Sequence, residues 1–294
     1  MQDHAPLDPG NANSSRLWNT RYLDEAVRLA GNVSTIAAKN APHAALWLSE
    51  TDSICHQGVY NDTNAYLNSV WLVNRLGSMA ALGSPVMARQ SLVGYNYSLL
   101  GNWPLEQISP NPDFFTTVLF RRLVGSAVIS TTITPPPLTA TAAADTAVTA
   151  MLADIAADRG SSGSDDLPGD RARAFAFCTC KGSGCGNGDG NAAPDGAITL
   201  AFVNFGSVPA EFVVDLPGAR LDYILTPGGH GAAGPYPFTS REIALNGRLL
   251  HMSPDDALPA MPAAPPAPPG SAFSLPPLTV GFAVFPVAGH PACM

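Results

Sequence analysis

The chain is poor in charge, and poorest in positive charge. Asp, Glu, Lys and Arg make up only 13% of its 294 residues, and 15 basic residues face 23 acidic ones, for a net charge of −8. The longest basic run is Arg121-Arg122. Phosphate binding needs clustered Lys and Arg, so a nucleic-acid partner is not expected. No run of about 18 apolar residues occurs, so no transmembrane helix is expected either. The opening Met1-Gln2-Asp3-His4-Ala5-Pro6 lacks the basic start and apolar stretch of a signal peptide.

Cysteine is scarce and odd in number: Cys55, Cys178, Cys180, Cys185 and Cys293. Any all-disulfide scheme leaves one over. The C-x-C-x₄-C run at 178–185 offers three sulfurs with no nearby His. Structural zinc sites use four ligands, so disulfides are expected there and no metal or cofactor. Four Asn-x-Ser/Thr triplets, at Asn13, Asn32, Asn61 and Asn96, are candidate glycosylation sites. Disulfides and glycans both imply an oxidising, secretory route, which a missing leader contradicts. A start upstream of Met1 would reconcile them.

What is present is a hydrophobic share of 46%, ample for a core. Residues 1–19 are polar and read as an irregular entry. Over 21–39 the residues Leu23, Ala26, Val27, Ala30, Val33, Ile36 and Ala37 fall at helical spacing, stopped by Asn40-Ala41-Pro42. Residues 43–50 form a short apolar run ending in Glu50, as a strand buried on both faces would. Asp62 is expected to cap a second helix with Tyr66, Leu67, Val70, Trp71, Val73, Leu76 and Met79 inside. Residues 85–90 read as a second buried strand. Asn111-Pro112-Asp113 starts a third helix, and Gly125 ends it. This alternation is the grammar of a parallel α/β fold, yet two strands are too few for one.

Past Gly125 the texture changes. Residues 127–133 read as a strand, and 135–171 are low in complexity and expected to be disordered. Short apolar runs at 172–178, 197–205, 210–216, 220–225, 243–245, 248–251 and 278–285, most of them parted by turns, suggest an antiparallel β-sandwich. The Pro/Ala stretch 254–270 is expected to be extended and exposed. The two domains are therefore drawn as 1–125 and 126–294, with insertions at about 135–171 and 254–270.

Glu50 is the sharpest chemical feature. A carboxylate closing a parallel strand stands where (β/α)₈ barrels place their catalytic groups, although a surface or capping role fits the pattern equally. The run Leu46-Trp47-Leu48-Ser49-Glu50-Thr51-Asp52-Ser53 resembles the nucleophile strand of heparanase and its relatives, glycoside hydrolase family 79. The likeness continues in order through Asp62-Thr63, Trp71-Leu72, Arg75-Leu76-Gly77, Arg89-Gln90, Gly94, Asn96-Tyr97, Pro112-Asp113 and the 119–125 segment. It is looser at Asn246-Gly247 and Ala292-Cys293.

The resemblance implies the last two β/α units of a (β/α)₈ TIM barrel followed by a β-sandwich, an α/β plus all-β chain. It implies a retaining glycosidase acting on glucuronic-acid-containing glycans, with Glu50 as nucleophile. Gln90 and Tyr97 would line the sugar cleft, and the Gly94 loop would offer backbone contacts to the substrate carboxylate. Plainer roles remain open: Gln90 as a backbone partner, Tyr97 as loop packing, Arg89 as a salt-bridge partner, and Asp52 as a loop residue. The resemblance also pairs Cys178 with Cys293 and leaves Cys180 and Cys185 to pair locally.

The family's acid/base Glu lies in an Asn-Glu-Pro motif, and this sequence has none. The other glutamates, Glu25, Glu106, Glu211 and Glu242, end no buried parallel strand. The acid/base half is thus expected to be missing, and the chain alone to be inactive unless an N-terminal segment or separate chain supplies that half. The resemblance implies a secreted, cell-wall, vacuolar, lysosomal or membrane-associated extracellular setting. A non-catalytic carbohydrate-binding or scaffold remnant, and a truncated gene product, are the competing readings.

Overall fold

The computed structural model describes residues 2–4 by their main chain, and 17, 19–54, 57–101, 109–134, 171–182, 185, 193–206, 208–229 and 237–294. Cys55, His56, Asn13, Glu106 and the stretch 135–170 lie outside the described residues.

Helix α1 (Thr20–Asn40) opens on Asn19, whose side-chain oxygen accepts from the Tyr22 N–H at 3.4 Å. Its Leu23, Ala26 and Ala30 are buried. Val33 and Ile36, expected on that same stripe, are exposed together with Leu29, and Ile36 reaches 62%. The spacing was helical, but nothing described covers the second half of the helix.

Strands β2 (Leu48–Asp52) and β3 (Met87–Arg89) pair in parallel. A further strand, β1 (Gln2–His4), pairs in parallel with the other side of β2, so the sheet order is β1-β2-β3. This corrects the reading of 1–19 as wholly irregular and the count of two parallel strands. Gln2-Asp3-His4 carries no apolar pattern, and the strand exists through its ladder to β2 alone.

Helix α2 (Leu67–Ala81) begins four residues later than a cap at Asp62 would set it, with Tyr66 in the cap position. Thr63 folds the preceding segment into a turn, its N–H donating to the Val59 carbonyl at 2.9 Å while the Val59 N–H donates to Thr63 Oγ1 at 2.9 Å. The helix is buried on nearly all sides. The hydroxyl of Tyr66, just before it, donates to the Leu225 carbonyl at 2.6 Å and accepts from the Val280 N–H at 3.3 Å. Gly77 permits this approach, because a methyl there would lie 2.2 Å from the Phe175 ring.

Helix α3 (Pro112–Leu123) has Pro in its first turn, Asp113 beside it, and Arg121 and Arg122 in its last turn, as the helix dipole favours. Asn111 occupies the cap position without capping. Its amide donates instead to the carbonyls of Ser98 at 2.7 Å and Gly101 at 3.0 Å. Gly125 does not end the helix. It lies inside strand β4 (Val124–Ile129), which continues directly from α3.

The remaining strands are β5 (Ala172–Thr179), β6 (Ile198–Asn204), β7 (Ala210–Phe212), β8 (Leu221–Pro227), β9 (Ile243–Leu245), β10 (Arg248–Leu249), β11 (Phe273–Leu275) and β12 (Thr279–Phe285). They form an antiparallel sheet of order β10-β9-β8-β12-β6-β5-β4 and a separate β7-β11 pair. Along β6, Ala201 and Val203 pack with α2 and α3, while Ile198, Leu200 and Phe202 pack toward β7-β11. On β12, Val280, Phe282 and Val284 join the first core, and Ala283 and Phe285 the second. The period of two is therefore intact, but both faces are apolar because both are covered. Phe202 meets Phe212 and Phe273 at 4.4 and 4.8 Å between ring centroids.

The 254–270 stretch is extended but not simply exposed. Met261 is fully buried, Ala264 donates to the Asp222 carbonyl, and Ala267 exchanges two backbone bonds with Arg220. Its apolar Met and its free backbone groups find partners against β8, which low complexity concealed.

Candidate active site

The parallel sheet places Glu50 in its central strand. Register between β2 and β3 runs from Leu48 opposite Met87 to Thr51 opposite Arg89, a slip of one residue. The slip falls across Ser49 and Glu50, where the ladder between β2 and β3 is irregular. Leu48 is buried against Ala30 and Met79 of the helices. Ser49 is exposed and Glu50 half-buried, and Thr51, Asp52 and Ser53 are buried again. Glu50 thus lies mid-strand rather than at the end of the run, and Asp52, read as a loop residue, belongs to the same strand and is 1% exposed.

Gln90 follows β3 directly, and its N–H donates to the Thr51 carbonyl at 2.9 Å. Gln90 therefore stands against the end of β2, at Thr51, on the strand next to the one that carries Glu50. The loop beyond folds back on itself. Leu99 and Leu100 donate to the carbonyls of Ser91 and Leu92, and the Ser91 and Ser98 hydroxyls meet at 2.7 Å. Gly94 sits in this loop at φ 123°, with open space where a side chain would start. Asn96 donates from its N–H to the Gln57 carbonyl, tying this loop to the one after β2. Tyr97 is 3% exposed and packs on Tyr95 at 5.3 Å, so its ring is part of the loop's interior. Asn32 and Asn61 are exposed, and Asn96 is half-buried.

Beneath these loops is a group that sequence reasoning treated only as a helix start. Arg89 pairs with Asp113 at 2.5 Å, donates to the Tyr97 carbonyl and lies 5.3 Å over the Trp71 ring. Asn68 donates to the same carboxylate at 2.9 Å. Arg89 is thus a structural ion-pair partner. The adjacency of Arg89-Gln90 and Pro112-Asp113 to the candidate site was the available signal. Asp113 is fully buried, and burial outweighs Arg89, its own backbone N–H and Asn68, pushing its carboxyl from 3.8 up to about 6. The native state then keeps a proton that the unfolded chain has shed. Stability falls as pH rises through the 3.8–6 window, by about 3 kcal/mol from this group. Urea unfolding at intervals from pH 4 to 7 checks this. Asp113→Asn is expected to flatten that part of the slope, and an unchanged slope would refute the assignment.

Cys178 is bonded to Cys293, and Cys180 to Cys185. Among the described residues no cluster of His, Cys, Asp and Glu could hold a metal, and no helix is long and apolar enough to cross a membrane.

No family model matches the chain. It is 30% identical over 125 residues to heparanase-like protein 2 of Arabidopsis thaliana, covering 42% of this chain and 23% of that one. It is 31% identical over 118 residues to baicalin-β-D-glucuronidase of Scutellaria baicalensis, covering 40% and 22%. Mouse heparanase is 27% identical over 295 residues, which is 99% of this chain and 46% of the relative. In fold, a crystal structure of an arabinofuranosidase matches at a TM-score of 0.55 with 8% identity, over 96% of this chain and 51% of that one. The chain spans about half or less of the length of these relatives. It shares its fold with part of a glycoside hydrolase and, in sequence, resembles heparanase-like proteins and glucuronidases.

Proposed function

We propose that this chain forms the nucleophile side of a retaining glycoside hydrolase of heparanase or β-glucuronidase type, acting on glucuronic-acid-containing glycans. The carrying observation is Glu50 in the central strand of a parallel sheet, half-buried where the register with β3 shifts by one residue. In this reading residues 1–125 are the closing part of a (β/α)₈ barrel and 126–294 the sandwich packed on it. Glu50 attacks the anomeric carbon and forms a covalent glycosyl-enzyme, which water then hydrolyses. The backbone around Gly94 faces the sugar carboxylate, and Gln90 bonds the sugar rim.

Retaining chemistry needs a second carboxyl about 5–5.5 Å from the first. Among the described residues Glu25 lies on α1, Glu211 on β7 and Glu242 just before β9, none of them on the parallel sheet, while Glu106 lies outside the described residues. In this reading the acid/base comes from polypeptide outside these 294 residues. The exposed apolar side chains Ile36 on α1, Trp47 just before β2 and Leu92 beyond β3 support the same reading, since among the described residues β1 and β3 have no further strand partner. Two disulfides support an extracellular or otherwise oxidising location.

The test joins this chain, by fusion or co-expression, to the preceding β/α units of a heparanase-like relative. The assembled protein is expected to cleave an aryl β-glucuronide and not the matching glucoside, while the chain alone cleaves neither. A folded, assembled protein without glucuronidase turnover would sink the proposal.

A further inference from the structure

The second disulfide has a neighbour that a structural cross-link does not require. Arg121, in the last turn of α3, points its Nη1 at Cys180 Sγ from 3.3 Å and stands 3.9 Å from Cys185 Sγ. A disulfide sulfur is neutral and a weak acceptor, so a guanidinium gains little from it. A thiolate in the same place would accept a charge-assisted hydrogen bond. The other nearby cation, Lys181, is already held by Asp195 at 2.6 Å and the Cys293 carbonyl at 2.7 Å. It leaves Arg121 as the cation facing the sulfurs among the described residues.

The two sulfurs also differ in access. Cys180 is 4% exposed, and its N–H is fixed to the Leu123 carbonyl at 3.0 Å. Cys185 is half-exposed. An incoming thiol therefore reaches Cys185 first and expels Cys180, the sulfur that Arg121 addresses. A leaving thiol departs faster when its thiolate is stabilised. Cys178–Cys293 differs on both counts, for both of its cysteines are buried and the bridge closes a separation of 115 residues against 5 for the other.

We propose that Cys180–Cys185 is a thiol–disulfide exchange site, poised by Arg121 to be opened by a dithiol reductant while Cys178–Cys293 stays closed. The attacking thiolate bonds to Cys185 Sγ, and the 180–185 bond breaks with its electron pair going to Cys180 beside Arg121. The second thiol of the reductant then attacks the mixed disulfide and releases Cys185 as a thiol. The protein gains two electrons, and the reductant leaves as a cyclic disulfide. The site is independent of Glu50 and of any glycosidase activity.

The experiment exposes the folded chain to graded dithiothreitol at neutral pH, quenches with an alkylating agent and maps labelled cysteines by mass spectrometry. Cys180 and Cys185 are expected to be labelled at concentrations that leave Cys178 and Cys293 paired. Arg121→Met, which keeps the apolar stem, is expected to slow that opening roughly fivefold, and Arg121→Lys to restore part of the rate. Circular dichroism establishes that both variants are folded. Opening of Cys178–Cys293 first or at the same rate, or a folded Arg121→Met variant that opens as fast as the wild type, would overturn the proposal.

Discussion

Glu50→Gln is expected to lower glucuronidase turnover of the completed barrel by at least about a thousandfold, because the amide cannot form the glycosyl ester on which the double displacement depends. The same protein with Glu50 intact, treated with a 2-deoxy-2-fluoro-β-glucuronide bearing a good leaving group, is expected to accumulate a covalent adduct. The fluorine disfavours the positive charge of both transition states, and the reactive leaving group preserves the first step, so the intermediate persists. Peptide mapping locates the ester. The strand offers one rival, Asp52, two residues on but 1% exposed. Glu50 lies where the register with β3 shifts and is half-buried, so it alone of the pair is open to a sugar. An adduct on Asp52, or full turnover by E50Q, would remove Glu50 from the role without touching the fold.

The second large effect concerns stability. Replacing Cys178 and Cys293 together by Ser is expected to cost about 5 kcal/mol, the loop-closure entropy released to an unfolded chain over so long a separation. The bridge joins the end of β5 to the short turn Pro291–Cys293 at the C-terminus. That turn has other ties, since Gly196 donates to the Cys293 carbonyl and Lys181 reaches the same oxygen. The folded state should therefore stay native in shape while its urea midpoint falls. The matching Cys180/Cys185 double serine closes a far shorter loop and should cost about 2 kcal/mol. Equal losses in the two variants would show that chain entropy is not what the long bridge supplies.

Legibility in the sequence followed the range of the interactions involved. The apolar spacing of Leu23, Ala26 and Ala30 and the Pro112-Asp113 start were local signals, and α1 and α3 fall where they pointed. Asp62 carried a capping signal too, but the Thr63–Val59 turn took precedence and delayed α2 to Leu67. Strand β1 had no local signal, because its formation rests on the ladder to β2. At the site, Glu50 and Gln90 stood out as polar residues closing apolar runs. Asp113 did not, since its significance arises when β3 brings Arg89 and α2 brings Asn68 to its carboxylate, with Trp71 under the guanidinium.

The seat of the Tyr66 hydroxyl, between a carbonyl of β8 and an amide of β12, bears on how such proteins can be recombined. A residue at the cap of α2 completes the hydrogen bonding of the antiparallel sheet, and Gly77 of that helix leaves room for a phenylalanine from it. The two parts are therefore not interchangeable cassettes. A chimera spliced at residue 125 would import a sheet cut for another helix, and it would need the α2 face to travel with the sheet it fits.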